Sequence, residues 1–387
     1  MRFSHLSSAL TAGVVLLVFL LVGREVAIQL EQRTIRVTAP EVFALKNQGI
    51  ALQRAAAETS DILLLYGSSE LMLGPASVRA GEFFKTEPTG FQASPVGKPG
   101  ATSIAILQKL AALGTQLRGR KVVVSLSPSW FLVPAVEPYM YKGNFSLFAA
   151  SQLAFGHALN FQLKRNIAAR MLEFPQTLAS SPVLEFALNR LASGKWWDRI
   201  GFAIAWPVGQ LQNAILDLQD HFESMIYILR QGKAPQPVSS RKLDWAMLIQ
   251  KATTPGDSST EDDKAQPIEL QLLRGGDRDF QARINAASEW TDFEMLLRVL
   301  REVQAKPLLL SMPMDGSFYD EAGISRAARG VYYKKIRALA ERYDFPLVEF
   351  KEHDRDPDFL DRHHYHLTAK GWLYWDQALS NFFSESK

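Results

Sequence analysis

The segment at residues 61–70 constrains the fold of this chain more than any other. Its apolar run, Ile-Leu-Leu-Leu-Tyr at residues 62–66, ends abruptly at Gly67-Ser68-Ser69-Glu70. A short apolar run that stops at glycine and small polar residues predicts a fully buried strand of a parallel sheet. In open α/β sheets, functional groups lie in the loops just after the carboxyl ends of such strands. Ser68 and Ser69 are therefore candidates for a nucleophile, or for an ordinary helix N-cap.

Apolar runs and amphipathic segments alternate along much of the remaining chain. Further strands are predicted at residues 121–126, 306–312 and 345–350, and helices at 104–117, 289–304 and 328–343. This alternation predicts an α/β fold with a doubly wound parallel sheet. A Gly/Pro-rich loop at residues 90–103 precedes the first of these helices. Its backbone amides are either an anion or oxyanion site, or part of a plain loop.

The region at about 151–280 interrupts this alternation and predicts a helical and polar insertion on the surface. It is rich in Ala, Leu and Phe up to about residue 230 and becomes polar after it. Residues 200–210 are apolar nearly throughout, but Pro207 and Gly209 interrupt them. At this length, a buried or interfacial segment is favoured over a second membrane span.

The N-terminus carries a long uncharged segment. From Leu6, about 18 residues contain no charge, close to the length that crosses a bilayer, and Arg24-Glu25 follow. A cleaved signal peptide has a shorter core and a small-x-small cleavage site, which residues 22–25 do not offer. We therefore predict a membrane anchor at residues 1–25, a loosely packed connector at 26–58 and an α/β domain at 59–387. The short tail before the anchor favours a cytoplasmic N-terminus and an external domain.

Charge and cysteine content exclude several classes of function. The 43 Lys and Arg residues nearly balance the 40 Asp and Glu residues, so the chain has no basic footprint for nucleic acid. There is no cysteine. Disulfides, thiolate metal sites and a cysteine nucleophile are therefore excluded.

A cluster of histidines and aspartates lies near the C-terminus, at residues 353–366. Four of the seven histidines fall here, just before a predicted C-terminal helix. The cluster has three interpretations: a metal site, although the spacing matches no firm ligand signature, a solvated polar loop, or an Asp/His pair that activates a distant serine. In the third, an imidazole acts as general base and a carboxylate orients it.

The predicted anchor and five short motifs occur in a defined order along the chain. The motifs are Gly-Ser-Ser-Glu-Leu at 67–71, Ser-Pro-Ser-Trp-Phe at 127–131, Asp-Trp-x-x-Leu at 244–248, Lys-Pro-Leu-Leu-Leu-Ser-Met-Pro-Met-Asp-Gly at 306–316, and His-Leu-x-x-x-Gly-Trp at 366–372. In this combination the chain resembles the DltD family, SGNH-hydrolase-like proteins that attach D-alanine to teichoic acids. The resemblance covers nearly all of the chain.

This resemblance implies the residues of a catalytic triad. The second serine of the family's Gly-Ser-Ser motif is the nucleophile, which here is Ser69. The family's C-terminal block is Asp-x-x-His followed by Leu and a later Gly-Trp, and this chain departs from it. The Gly-Trp frame selects His366, whereas the Asp-x-x-His frame selects Asp361 with His364. We favour Asp361 with His366, because Leu367 and Gly371-Trp372 set the packing of the following helix.

The predicted oxyanion and substrate-binding residues are Ser68, Gly100, Ser127 and Ser129. The Ser69 amide and an amide near Gly100 would hold the oxyanion, and Ser127 or Ser129 would donate from a side chain where SGNH enzymes typically use Asn. No metal or organic cofactor is implied.

The resemblance implies extracytoplasmic acyl transfer, specifically D-alanylation, onto a cell-envelope polymer such as teichoic acid. The implied partners are a membrane-bound O-acyltransferase, a D-alanyl carrier protein and the acceptor polymer. Two alternatives stay open. The first is a non-catalytic scaffold for the acyltransferase and the carrier protein, which the irregular Asp/His spacing favours. The second is an esterase or O-acetyltransferase that acts on envelope polysaccharide.

Overall fold

A computed structural model describes residues 2–41, 49–87, 89–231, 240–252, 275–361 and 366–385. Within these ranges, five parallel strands form one sheet in the order β2-β1-β3-β4-β5. The α/β fold with a parallel sheet is thereby confirmed. The strands are β1 (Ile62–Gly67), β2 (Gln92–Gly97), β3 (Lys121–Leu126), β4 (Lys306–Ser311) and β5 (Leu347–Val348).

Helices precede, connect and follow the strands. In chain order, the first described helices are α1 (Arg2–Thr38), α2 (Ile50–Glu58), α3 (Ala80–Thr86), α4 (Ser103–Leu113), α5 (Pro138–Asn144), α6 (Leu147–Phe155), α7 (Phe161–Met171) and α8 (Pro175–Leu178). They are followed by α9 (Pro182–Ser193), α10 (Trp196–Gln231), α11 (Trp245–Ala252), α12 (Gly276–Ala286), α13 (Glu289–Glu302), α14 (Gly316–Glu321), α15 (Arg326–Tyr343) and α16 (Ala369–Ser384).

The sheet is covered on both faces, as a doubly wound fold requires. Alternate residues of a strand point to opposite faces, so the apolar run of β1 divides between two cores. Leu64 and Tyr66 belong to the larger core, with α2, α4, α13 and α15. Leu63 and Leu65 belong to the smaller core, with α3 and α16. Burial on both faces explains why the sequence of β1 is continuously apolar instead of alternating between apolar and polar residues.

Strand β2 was not predicted from the sequence. Its residues Gln-Ala-Ser-Pro-Val-Gly lie in the segment for which the sequence predicts a Gly/Pro-rich loop. Pro95 has no backbone N–H, so such a strand is tolerated only at the edge of a sheet, which is where β2 lies. A Cβ atom at Gly97 would lie 2.1 Å from the carbonyl oxygen of Gly67, so the two strands approach too closely there for any side chain.

The helical region after residue 147 joins the larger core instead of only wrapping the surface. Phe148 of α6, Ile167 of α7 and Leu188 of α9 are fully buried members of that core. Within the predicted insertion, the motif at 244–248 leads into the short helix α11. The polar stretches on either side of it, residues 232–239 and 253–274, lie outside the described residues.

Helix α1 combines the predicted anchor with most of the predicted connector. Among the described residues, it is the one helix long and apolar enough to cross a membrane. Its apolar residues before Gly23 are almost all exposed, whereas Ala27, Glu31 and Ile35 are buried at a helical spacing of four. The segment expected to pack loosely is thus largely helical, and one of its faces is packed against the domain through α2 and α10.

Candidate active site

A tight turn at the carboxyl end of β1 presents Ser69. The strand runs directly into a single 3₁₀ turn, Ser69–Leu71, instead of a longer helix. The side chain of Glu70 folds back under this turn and is fully buried. Its Oε1 atom accepts hydrogen bonds from the Ser68 N–H at 2.8 Å and from the Ser125 hydroxyl at 2.6 Å. These bonds fix the backbone on either side of Ser69, which is itself half-buried.

Burial raises the pKa of Glu70, and the hydrogen bonds from Ser125 and Ser68 oppose that rise. Sequence reasoning did not assign a role to Glu70 or to Ser125. The available signals were a serine inside the apolar strand Lys-Val-Val-Val-Ser-Leu, and a glutamate directly after the small residues of the turn.

A second loop, which precedes α16, carries Asp361 and His366. Leu360 and Leu367 form an antiparallel bridge, and the Asp361 N–H donates to the His366 carbonyl oxygen at 2.8 Å. Across this bridge, Asp361 Oδ2 lies 3.3 Å from Nδ1 of His366. The imidazole is largely buried, with 10% of the side chain exposed, whereas the Asp361 side chain is 31% exposed. The carboxylate therefore holds one ring nitrogen and sets the orientation of the ring.

The other ring nitrogen of His366 faces the serine. Nε2 lies 3.2 Å from the Ser69 hydroxyl oxygen. With Nδ1–H donating to Asp361, Nε2 is the ring nitrogen that can accept the serine proton. A nucleophile, a base within hydrogen-bond reach and a group that orients the base together make up the arrangement used in covalent acyl transfer.

Trp372 ties the two loops together. Its indole Nε1–H donates to the carbonyl oxygen of Leu73 at 3.1 Å, so the first residues of α16 are attached to the segment that follows Ser69. Gly371 lies against the carbonyl of Phe359, where a Cβ atom would approach the oxygen to 2.3 Å. The spacing of His366, Gly371 and Trp372 thus places the imidazole relative to the serine turn through backbone contacts.

The loop after β2 lies beside the serine turn. The Ser68 hydroxyl donates to the Lys98 carbonyl oxygen at 3.4 Å. Gly100 has a φ of +79°, and a side chain there would press on Met140, so glycine is required. The first amide of α4, at Ser103, donates to the buried carboxyl group of Glu289 at 2.9 Å. That amide is therefore satisfied within the protein, and an oxyanion would have to use amides earlier in the loop.

Ser127 and Ser129 follow β3 at the same edge of the sheet. The β1–β3 register pairs Tyr66 with Val124, which brings the residues after each strand alongside one another. The two hydroxyl groups lie 2.8 Å apart and hydrogen-bond to each other. Their predicted role as oxyanion donors stays a prediction.

The alternative base, His364, lies outside the described residues. Within the described residues, no group of three or more His, Asp or Glu side chains is placed to hold a metal ion. The structure therefore brings together Ser69, Asp361 and His366 of the predicted site, and it places Ser68 and Gly100 in the turn and in the neighbouring loop.

Known proteins match this chain over nearly its full length. The family model described as DltD protein matches residues 40–384. Protein DltD of Bacillus subtilis (strain 168) is 26% identical over 395 residues, which cover 97% of each chain. Protein DltD of Staphylococcus aureus (strain NCTC 8325 / PS 47) is 22% identical, covering 98% of this chain and 96% of the relative. Protein DltD of Lacticaseibacillus rhamnosus is 22% identical, covering 92% and 85%.

Proposed function

The chain belongs to the DltD family, and from that premise we propose that it transfers D-alanyl groups to a cell-envelope polymer through an acyl-Ser69 intermediate. Proteins of this family take part in the D-alanylation of teichoic acid together with other Dlt proteins. The observation that carries the proposal is the 3.2 Å distance between Ser69 Oγ and His366 Nε2, with Asp361 on the opposite ring nitrogen.

In the first half-reaction, Ser69 takes the acyl group from its donor. His366 Nε2 accepts the hydroxyl proton as Oγ attacks the D-alanyl carbonyl carbon. The tetrahedral oxyanion would be held by the Ser69 amide and by amides near Gly100. When the bond to the leaving group breaks, the imidazolium returns the proton to that group, and Asp361 stabilises the imidazolium between the two transfers.

In the second half-reaction, a hydroxyl of the acceptor polymer replaces the donor. His366 removes its proton, the polymer oxygen attacks the acyl carbon, and the bond to Ser69 Oγ breaks with return of the proton to the serine. The polymer gains an ester and the serine is regenerated. A covalent intermediate suits a transfer between two large partners, because donor and acceptor need not be bound at the same time.

The proposal also places the domain at the membrane surface, on the extracytoplasmic side. The apolar part of α1 is long enough to serve as a single-pass anchor. A domain held there would meet a membrane-bound O-acyltransferase and a D-alanyl carrier protein as donor-side partners, and the polymer as acceptor.

Acylation of the envelope in cells tests the function. Cells that lack their own copy would be supplied with wild-type protein, Ser69→Ala or Ser77→Ala, and ester-linked D-alanine released from the envelope would be measured. Ser77 is an exposed serine eight positions away, so its alanine variant is a matched control. We expect esterification with the wild type and the control, and none with Ser69→Ala.

The same measurement separates the alternatives. Undiminished esterification with Ser69→Ala, at wild-type protein levels, would contradict catalysis and support a scaffold. More ester with Ser69→Ala than with the wild type would indicate an esterase that removes the group instead of adding it.

A further inference from the structure

The outer face of α10 is apolar without interruption over residues 200–215. All exposed residues of this stretch are Ile, Ala, Pro, Val or Leu, and we call them the α10 stripe: Ile200, Ala203, Ile204, Pro207, Val208, Leu211, Ala214 and Ile215. Ile204 is 75% exposed and Leu211 is 62% exposed. At 1.5 Å per residue, the stripe extends for about 24 Å along the helix. An exposed apolar surface of this length marks an interaction site.

The inner face of the same stretch carries polar groups. The Gln210 amide donates to the carbonyl oxygen of Phe155 at 2.7 Å, and Trp206 Nε1 donates to the same oxygen at 3.0 Å. Gln212 is hydrogen-bonded to Ser151 and to Ser181. These bonds fix the rotation of α10, so the apolar residues cannot turn inward. Phe202 and Trp206 also pack against the core on this face. The stretch is therefore apolar on its outer face as well, unlike a soluble amphipathic helix, in which polar residues face water.

The stripe ends where the anchor leaves the domain. Arg24, the first charged residue after the apolar part of α1, donates to Asp217 at 2.8 Å, and Asp217 lies two positions after Ile215. Gly23 lies against Phe222, because a Cβ atom there would be 3.1 Å from its ring. The uninterrupted apolar stretch of α1 and the α10 stripe therefore both end next to one ion pair. A single boundary between lipid and water would explain why the two apolar surfaces end at the same place.

The opposite end of the stripe carries residues that favour a membrane interface. Trp196 and Trp197 are exposed at the first turn of α10, and Lys195 lies with its Nζ 5.7 Å from the Trp197 ring centroid. Arg199 is exposed next to them. Tryptophan rings settle at the level of the lipid headgroups, and long cationic side chains reach the phosphates from an apolar surface.

We propose that the α10 stripe is embedded in the interfacial region of the bilayer that α1 crosses, so that the domain is held at two points. Lipid is the occupant because the stripe continues the apolar surface of the anchor and ends at the same ion pair. An interfacial helix with an aromatic and cationic margin is a common membrane contact. A second contact would restrict the orientation of the domain. With one anchor the domain can rotate relative to the membrane, whereas two contacts fix the distance of Ser69 from the bilayer and the direction in which its edge of the sheet points.

The absence of cysteine makes a direct test possible. Full-length protein with a single Ile204→Cys or Leu211→Cys substitution would carry an environment-sensitive nitrobenzoxadiazole label. It would be reconstituted into phosphatidylcholine–phosphatidylglycerol vesicles with and without nitroxide-bearing lipid. Val14→Cys in the anchor is the lipid-exposed reference. Met247→Cys in α11 is the matched control, because Met247 is also apolar and 60% exposed.

We expect the labels at Ile204 and Leu211 to be quenched by nitroxide lipid as strongly as the label at Val14, with blue-shifted emission, while the label at Met247 is not quenched. Quenching at Ile204 and Leu211 no greater than at Met247 would overturn the proposal. The proposal would also be overturned if the labels were shielded from water only when a second membrane protein is added. Cross-links between copies of the chain through these cysteines would overturn it too, because either result would mean that a protein covers the stripe. An unquenched Val14 would remove the premise of a membrane-embedded α1.

The unlabelled protein gives a measurement that does not depend on the cysteine variants. Brominated lipid should quench the intrinsic tryptophan fluorescence of the wild type more than that of Trp196→Phe/Trp197→Phe. Equal fractional quenching of the two proteins would contradict an interfacial position for this end of α10.

Discussion

Two of the histidine–carboxylate pairs among the described residues have opposite surroundings. His366 and Asp361 lie at the carboxyl edge of the sheet, 3.3 Å apart, and the other ring nitrogen faces the Ser69 hydroxyl at 3.2 Å. His221 and Glu31 lie 2.9 Å apart between α10 and α1. There the second nitrogen faces another carboxylate, Asp217, at 3.6 Å.

The difference shows what separates a candidate catalytic pair from a structural one. In both pairs a carboxylate orients an imidazole, so that interaction alone indicates no function. Asp361 and Ser69 are both partly exposed, so this pair and its serine lie next to solvent. Glu31 and His221 are almost completely buried, and Arg54 also donates to Asp217. The second pair therefore fastens the anchor helix to the domain.

The largest expected effect is that of His366→Ala on acyl transfer. Removing a general base lowers the rate by about 10²–10⁴-fold. Because the side chain lies at the edge of the sheet, we expect little change in the midpoint of thermal unfolding. His364→Ala is the matched control and should reduce envelope D-alanylation less. A larger loss with His364→Ala would indicate that His364, paired with Asp361 in an Asp-x-x-His motif, is the base.

His221→Ala should have the opposite profile. Removing one member of a buried pair leaves the Glu31 carboxylate uncompensated, which lowers the free energy of unfolding by about 3 kcal/mol. Acylation per folded molecule should stay at the wild-type level. Thermal unfolding in detergent, together with D-alanine release normalised to folded protein, tests both parts. Lost acylation with unchanged unfolding would mean that this pair acts in the reaction.

Glu70 sharpens the comparison, because it is a buried carboxyl group that serves the candidate site without facing the serine. Glu70→Ala leaves the buried Ser68 N–H and the Ser125 hydroxyl without their acceptor, at about 1–3 kcal/mol, and loosens the turn that holds Ser69. Glu70→Gln keeps an oxygen in that place and should restore most of the acylation rate. Equal impairment by the two variants would indicate that the negative charge matters, rather than the hydrogen bonds.

The structural pair also predicts a pH dependence of stability. Burial raises the pKa of Asp220, beside His221, from 3.8 to about 7. Between these values the folded state keeps a proton that the unfolded state has released, so Asp220 lowers stability as pH rises from about 4 to 7. Asp220→Asn removes the titrating carboxyl group and keeps an acceptor for the Ala51 N–H.

Unfolding midpoints measured from pH 4 to pH 8 test this assignment. The variant and the wild type should unfold together near pH 4, and the variant should be increasingly more stable up to about pH 7. A stability difference that is largest at pH 4 would contradict the direction of the shift.

Much of the sheet could be predicted from the sequence, because strands buried on both faces are continuously apolar. This signal identified β1, β3 and β4, each followed by a polar break. It failed for β2, where an edge position permits Pro95 and a close backbone contact requires Gly97. The orientation of α10 also could not be predicted from the sequence, because the apolar residues of the α10 stripe have the spacing expected of a buried helix face. The inward bond of Gln210 to Phe155 determines which side is exposed.

The candidate site was predicted in part for a similar reason. Ser69 is marked by its place after a strand, and His366 by its distance from Gly371-Trp372, which are local patterns. The support from Glu70 depends on a side chain that folds back to meet Ser125 on another strand. No local pattern encodes such a contact.

The most direct test of the central claim is to locate the acyl group itself. Full-length protein in detergent would be incubated with an activated D-alanyl ester, and its intact mass and peptide masses would be measured beside those of Ser69→Ala and His221→Ala. We predict one D-alanyl adduct on the peptide that contains Ser69, present in the wild type and in His221→Ala and absent from Ser69→Ala. An adduct on another residue, or a folded wild type that neither this ester nor a serine-reactive fluorophosphonate modifies, would contradict the acyl-serine mechanism.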